Sequence, residues 1–217
     1  MQKSLQFSHL VVEGPIGVGK TSLARRLAKS FHGDLLLEGA DSNPFLPRFY
    51  QDPKNGALAA QLFFLMQRAQ QMQDIRQSDL FSQVRIADFL LEKDRLFARL
   101  TLDEQELQLY EQVYSVLTID APHPDLVIYM QAPVDILLQR IRKRGIVHER
   151  HIEAEYLRQV NESYTDFFYN YSNSPLLIIN AAEIDLVSND RDYDQLLNQI
   201  VSIRSGRHYF NPLPLAQ

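Results

Sequence analysis

The chain has 217 residues, 45% of them hydrophobic and 23% charged, which is a globular composition long enough for one domain with a full core. Its 22 Lys and Arg against 27 Asp and Glu give a net charge of -5, which argues against a general binder of nucleic acid polymers. The absence of cysteine excludes a disulfide framework, a cysteine zinc site and thiol catalysis; no apolar run is long enough for a membrane span, and the opening MQKSLQFSHLVVEG lacks a signal-peptide core, so the expected location is the cytoplasm.

In chain order, Leu10–Glu13 reads as a buried strand ending in Gly14. Lys20–Phe31 has helical periodicity through Leu23, Leu27 and Phe31, and Gly33 stops it. Leu35–Leu37 is a second short strand, ending at Glu38. A polar stretch, Gly39–Gly56, follows, punctuated by Pro44, Pro47 and Pro53. Ala57–Gln77 is strongly helical, with Leu58, Leu62, Leu65, Ala69 and Met72 stepping by four and three. Val84–Ala87 gives a third strand ending at Asp88. Helical patterns run through Leu100 and again from Asp103 to Leu117. Leu126–Met130 is a strand, Val134–Arg144 a helix ending at Gly145, and Ile152–Tyr171 a tyrosine-rich helix. Leu176–Asn180 is the last strand and Tyr193–Ile203 the last helix; the tail from Gly206, with Pro212 and Pro214, reads as extended.

Five short apolar strands alternating with helices predict an α/β fold, a parallel sheet covered on both faces. Ligands in such sheets bind beyond the carboxyl ends of the strands, where Gly14, Glu38 and Asp88 fall.

Gly14-Pro15-Ile16-Gly17-Val18-Gly19-Lys20-Thr21 matches G-x-x-x-x-G-K-[ST] between a strand and a helix, followed by Ser22. The glycines let backbone N–H groups turn toward a polyphosphate, and the following helix presents its positive end to the same anion. Lys20 is placed to reach the β- and γ-phosphates and Thr21 to ligate Mg²⁺. The motif predicts binding of a nucleoside triphosphate and does not say what receives the phosphate.

Glu38, at a strand end facing the phosphate site, can accept a proton from an attacking hydroxyl, although a solvated glutamate at a loop edge would occupy the same position. Around it, Asn43-Pro44-Phe45-Leu46, Phe49-Tyr50-Gln51-Asp52 and Gln61-Leu62-Phe63-Phe64-Leu65-Met66-Gln67-Arg68 resemble the deoxynucleoside kinase family, particularly its bacterial deoxyadenosine/deoxyguanosine branch. The resemblance runs from the phosphate loop to about Tyr164. It implies one P-loop NTPase-type domain over 1–217, a three-layer α/β/α fold with a helical lid at about 140–151, and a homodimer. It also implies Glu38 as general base on the 5′-hydroxyl and Tyr50 on the deoxyribose 3′-hydroxyl. Gln61 and Arg68, seven apart, share a helical face and can read a base edge; a polar patch on an amphipathic helix is the plainer reading, and the resemblance favours base recognition. Phe97 aligns with a family aromatic that stacks on the base, and a core Phe would look the same.

The pattern breaks at the third strand. The family ends it with Asp/Glu-Arg-Ser, whose Arg supports the general base; here the chain reads Val84-Arg85-Ile86-Ala87-Asp88 and the Arg is missing. Asp88 can hold Mg²⁺ through water, or cap a helix at Phe89. Arg85 and Arg95 are candidates for the lost guanidinium. Lys93 occupies the column of the family's base-reading Asp, flanked by Glu92 and Asp94. Downstream, the run Arg140–Arg150 is similar to the family's lid: Arg140 and Arg144 match lid arginines that neutralise developing charge, Ile146 replaces a third, and Glu149 aligns with a carboxylate on the sugar 3′-hydroxyl. His148 and His151 read as solvated, and Tyr164, Tyr169 and Tyr171 as packing residues.

The expected reaction is transfer of the γ-phosphate of ATP to the 5′-hydroxyl of a deoxynucleoside, purine favoured, in nucleotide salvage. A nucleoside monophosphate kinase and a nucleotide-binding regulator that has lost catalysis are the alternatives.

Overall fold

The computed structural model describes residues 7–77, 84–118, 121–184, 186 and 189–211. The central strand β1 (His9–Glu13) leads through the phosphate loop into α1 (Lys20–Phe31), followed by β2 (Asp34–Leu36), α2 (Leu46–Gln51) and α3 (Pro53–Gln77). After β3 (Arg85–Ala87) come α4 (Lys93–Thr101), α5 (Glu104–Leu117) and β4 (Leu126–Gln131). The chain continues as α6 (Val134–Arg144), α7 (Ala154–Tyr169), β5 (Leu176–Asn180), α8 (Asp190–Ser202) and β6 (Arg207–Phe210).

The described strands form one parallel sheet in the order β2-β3-β1-β4-β5-β6. This corrects the expected five strands to six. The extra strand, β6, is a short edge whose Arg-His-Tyr-Phe run buries Phe210 alone, so it carries no hydrophobic alternation to read. Pro212 and Pro214 lie outside the described residues.

Strand periodicity explains the three layers. Leu10 and Val12 of β1, Ile128 and Met130 of β4, and Leu177 and Ile179 of β5 share one cluster with Leu23 and Leu27 of α1, Leu137 of α6 and Leu196 of α8. The alternate residues Val11, Val127, Tyr129 and Ile178 pack with Leu65 of α3, Leu96 of α4, Tyr110 of α5 and Tyr164 of α7. Both faces of the sheet are thereby covered.

Two local features reshape the proline-punctuated stretch. Pro47 enters the first turn of α2, and Pro53 opens α3, positions where the missing N–H costs nothing. Gly56 then lies inside α3 rather than before it. A Cβ there would sit 2.7 Å from the Phe49 backbone, so glycine is what lets α2 rest directly on α3.

Beyond β1 the order reverses, with β3 on one side and β4 on the other. That switch point opens a crevice at the carboxyl end of β1, where the phosphate loop sits. Among the described residues, no helix is long and apolar enough to cross a membrane.

Candidate active site

The phosphate loop adopts the backbone its glycines permit. Gly14, Gly17 and Gly19 have φ of 152°, 85° and 105°. A Cβ on Gly14 would lie 2.2 Å from the Met130 carbonyl, and one on Gly17 would meet Leu137 O at 2.9 Å. Lys20 folds back over the loop, its Nζ donating to Gly14 O at 2.8 Å and Pro15 O at 3.3 Å. Burial, reinforced by the nearby Lys93 ammonium, pulls its amine down to about 8.

Two clefts meet at this loop. One, of 630 Å³, is lined by Gly17, Val18, Gly19, Lys20, Thr21 and Ser22, with Arg140, Arg144 and Ala181–Ile184 opposite. The other, of 470 Å³, runs from Lys20 and Thr21 past Glu38 and Asp88 to Tyr50, Gln61, Arg68, Phe97 and Glu149. The structure therefore brings every substrate-side residue expected from the sequence to one cavity. Gly14 and Pro15 shape the loop and hold Lys20, and Ile16 faces the second cleft.

Asp88 does not cap a helix, since α4 begins only at Lys93. Its carboxylate accepts from the Thr21 hydroxyl at 2.5 Å and from the Glu38 backbone N–H at 2.7 Å, linking loop, β2 end and β3 end. Thr21 and Asp88 together offer hard oxygen donors beside the triphosphate position, a set that fits Mg²⁺, which takes one or two carboxylates plus phosphate oxygens. Among the described residues no group of three His, Asp or Glu side chains could hold a metal alone.

Glu38 is held by two cations. Arg68 and Lys93 both pair with its Oε1, Lys93 Nζ at 2.8 Å, while Oε2 makes no hydrogen bond among the described residues. Arg68 also pairs with Asp94, so the Arg68 guanidinium ties the helix face of Gln61 to α4; burial lowers it to about 10, which leaves it charged. Gln61 is 5% exposed and donates to the Thr101 hydroxyl at 3.3 Å, which fixes its amide in the cavity wall. Phe97 lines the cavity and meets the Tyr164 ring edge-on, so it serves both cavity and core.

On the lid side, Arg144 forks onto Glu149 at 2.5 and 2.6 Å and faces both clefts. Arg140 is anchored to backbone, donating to Val18 O at 3.2 Å and Ala181 O at 2.7 Å beside the first cleft. Gly145 ends α6 in the left-handed region with φ 73°. Burial pushes the Tyr50 hydroxyl up, and its ring stacks on His148 at 5.9 Å.

Three residues carry more than the sequence showed. Glu13, read as the end of an apolar strand, is 0% exposed and accepts from Gly14 N–H, Leu90 N–H and the Tyr164 hydroxyl at 2.7–2.9 Å. Tyr164, taken as a packing residue, thus supports the loop as well. Lys93 is 2% exposed and reaches both Glu38 and Glu13. Neither candidate for the lost guanidinium arrives: Arg95 pairs with Glu111, and Arg85 starts β3 opposite His9, at the far end of the strand. For Glu13 the one available signal was a carboxylate closing an apolar strand; Lys93 sits in the charged run Glu92-Lys93-Asp94-Arg95, which gives no sign of burial.

A family model described as deoxynucleoside kinase matches residues 10–204. A deoxyguanosine kinase of Bacillus subtilis (strain 168) is 34% identical over 194 residues, covering 86% of this chain and 93% of that protein. A deoxyadenosine kinase of Lactobacillus acidophilus is 30% identical over 206 residues, covering 88% and 94%. In fold, the chain superposes on a deoxyadenosine kinase from M. mycoides, solved with the products dCMP and a flexible dCDP, with a TM-score of 0.78 at 23% identity; 89% of this chain and 99% of that one are covered.

Proposed function

The chain belongs to the deoxynucleoside kinase family, and on that premise we propose that it transfers the γ-phosphoryl group of ATP to the 5′-hydroxyl of a purine deoxynucleoside. The observation that carries this reading is the acceptor-side cleft, where a carboxylate, Glu38, stands between the phosphate loop and a wall of Gln61, Arg68 and Phe97. Deoxyguanosine and deoxyadenosine kinases among the relatives support the purine preference.

Lys20 and the loop amides hold the triphosphate, and Thr21 with Asp88 would hold Mg²⁺, which would supply neutralisation of charge on the phosphate oxygens. Glu38 takes the proton of the 5′-hydroxyl as its oxygen bonds to the γ-phosphorus; the bond from that phosphorus to the bridging oxygen breaks, and ADP leaves. Arg144, facing both clefts, neutralises charge that builds between donor and acceptor, and Arg140 does so from the donor side. Tyr50 and Glu149 receive the sugar 3′-hydroxyl, while Gln61, Arg68 and Phe97 take the base. A monophosphate acceptor would bring its charge against Glu38, which disfavours that alternative.

The resemblance further supports one domain with its lid at 140–151, a cytoplasmic location and a homodimer. Exposed Met66 on α3 and Leu109 and Val116 on α5 agree with an interface.

The test is coupled ADP release with Mg·ATP against deoxyguanosine, deoxyadenosine, thymidine, the matching ribonucleosides and dGMP. Turnover should be greatest with a purine deoxynucleoside. Preferred turnover of dGMP, or silence across the panel, would contradict the reading.

A further inference from the structure

Lys93 occupies a costly position. It is the first residue of α4, where the helix's partial positive charge disfavours a cation, and it is 2% exposed, where loss of water disfavours any charge. Its ammonium is offset by two carboxylates of different character. Glu13, 3.5 Å away, is locked by two backbone amides and the Tyr164 hydroxyl. Glu38, 2.8 Å away, lies on the connection beyond β2 and keeps 18% of its side chain exposed to the cleft. One neighbour is therefore locked within the protein, and the other borders the cleft.

Arg68 reaches the same Glu38 oxygen, but its guanidinium is shared with Asp94. Asp88 ties the Glu38 backbone to Thr21, and Lys93 connects the Glu38 carboxylate to the phosphate loop, because Glu13 precedes that loop directly and bonds the Gly14 amide. With both cations on Oε1, Oε2 is the oxygen left for the acceptor.

We infer that Lys93 is a positioning residue that clamps Glu38 Oε1 to the loop-anchored Glu13, so that Oε2 meets the acceptor hydroxyl in line with the γ-phosphate. The inference rests on the deoxynucleoside kinase reading. It gives the broken third-strand motif a physical replacement: the cation absent from the end of β3 arrives from the start of α4, across the same cleft. Burial draws the Lys93 amine down to about 8, a value at which it still carries its charge near neutral pH.

A double-mutant cycle tests this, using Lys93→Met, Lys93→Arg, Glu38→Gln and the Glu38→Gln/Lys93→Met pair, with kcat, deoxynucleoside KM and equilibrium ATP binding measured for each. Lys93→Met should lower kcat by about 10²-fold, within the range for misplaced catalytic geometry, while ATP affinity stays within about threefold. Lys93→Arg should recover at least about tenfold of that loss. In the Glu38→Gln background, Lys93→Met should cost no more than about threefold, because a clamp has no effect once its target is gone. Lys93→Gln serves by the same criteria if the Met variant does not melt cooperatively.

Losses that multiply in the double variant, a kcat within threefold of the unaltered enzyme, or ATP affinity falling in step with kcat would each overturn the clamp and leave the kinase reading standing. If the unaltered protein phosphorylates no deoxynucleoside, both fall together.

Discussion

His9 shows how one buried residue ties this fold to pH. It opens β1 at 6% exposure, close to Asp125, Arg85 and the His123 backbone. Burial holds its imidazole down to about 4, against an ordinary 6.5. Below about 6.5 the unfolded chain takes up a proton that the folded chain refuses until about 4. The contribution is therefore fully present above 6.5 and is lost as pH falls through that window, by on the order of 3 kcal/mol in all. Urea midpoints should drop between pH 7 and pH 4.5 in the unaltered protein, and the contribution of this site can be isolated with His9→Leu, which should flatten that part of the curve. An equal drop in the Leu variant would place the acid sensitivity elsewhere. At this scale the sequence was uneven as a guide. Lys20, Thr21 and Glu38 were legible because a motif or a strand end marks them, whereas Glu13 and Lys93 acquire their meaning from each other, 80 residues apart, through folding.

The element that depends most on a single residue is α2, which carries Tyr50 to the acceptor cleft. It is held against α3 at Gly56, where a Cβ would come within 2.7 Å of the Phe49 N and Cα. Alanine is ordinarily favoured over glycine inside a helix by roughly 0.5–1 kcal/mol. Here the close backbone contact should reverse the sign, and Gly56→Ala should destabilise the protein by about 1–3 kcal/mol. Thermal melting would read this as a fall of several degrees, and the deoxynucleoside KM should rise as Tyr50 shifts. A higher melting temperature would show that α2 and α3 do not touch as described. The sequence places Gly56 in a loop because glycine and three prolines look like punctuation. Pro47 and Pro53 in fact begin helices, and Gly56 is required by packing between two elements, a relation no local pattern records. Elsewhere elements followed their patterns closely: Val134–Arg144 and Leu176–Asn180 are bounded as expected, and the start of α5 is fixed by a capping box between Asp103 and Glu106.

For the whole molecule, the switch point of the parallel sheet determines where chemistry can happen. β1 delivers the phosphate loop between β3 and β4, and the ends of β2 and β3 bring Glu38 and Asp88 to one crevice, with Glu13 at the end of β1 buried behind Lys93. Donor and acceptor clefts then share Lys20, Thr21 and Arg144, so a phosphoryl group can cross from one to the other without leaving the cations. The alternation of strands and helices foretold this crevice. It did not foretell the sixth strand, which lies at the sheet edge, away from β1. The measurement that bears most directly on the central claim is steady-state turnover of Glu38→Gln beside its equilibrium affinity for ATP. The isosteric amide keeps the cavity but cannot accept the hydroxyl proton. The account predicts a kcat at least about 10²-fold lower with ATP affinity unchanged within about threefold. Turnover equal to that of the unaltered enzyme would contradict it.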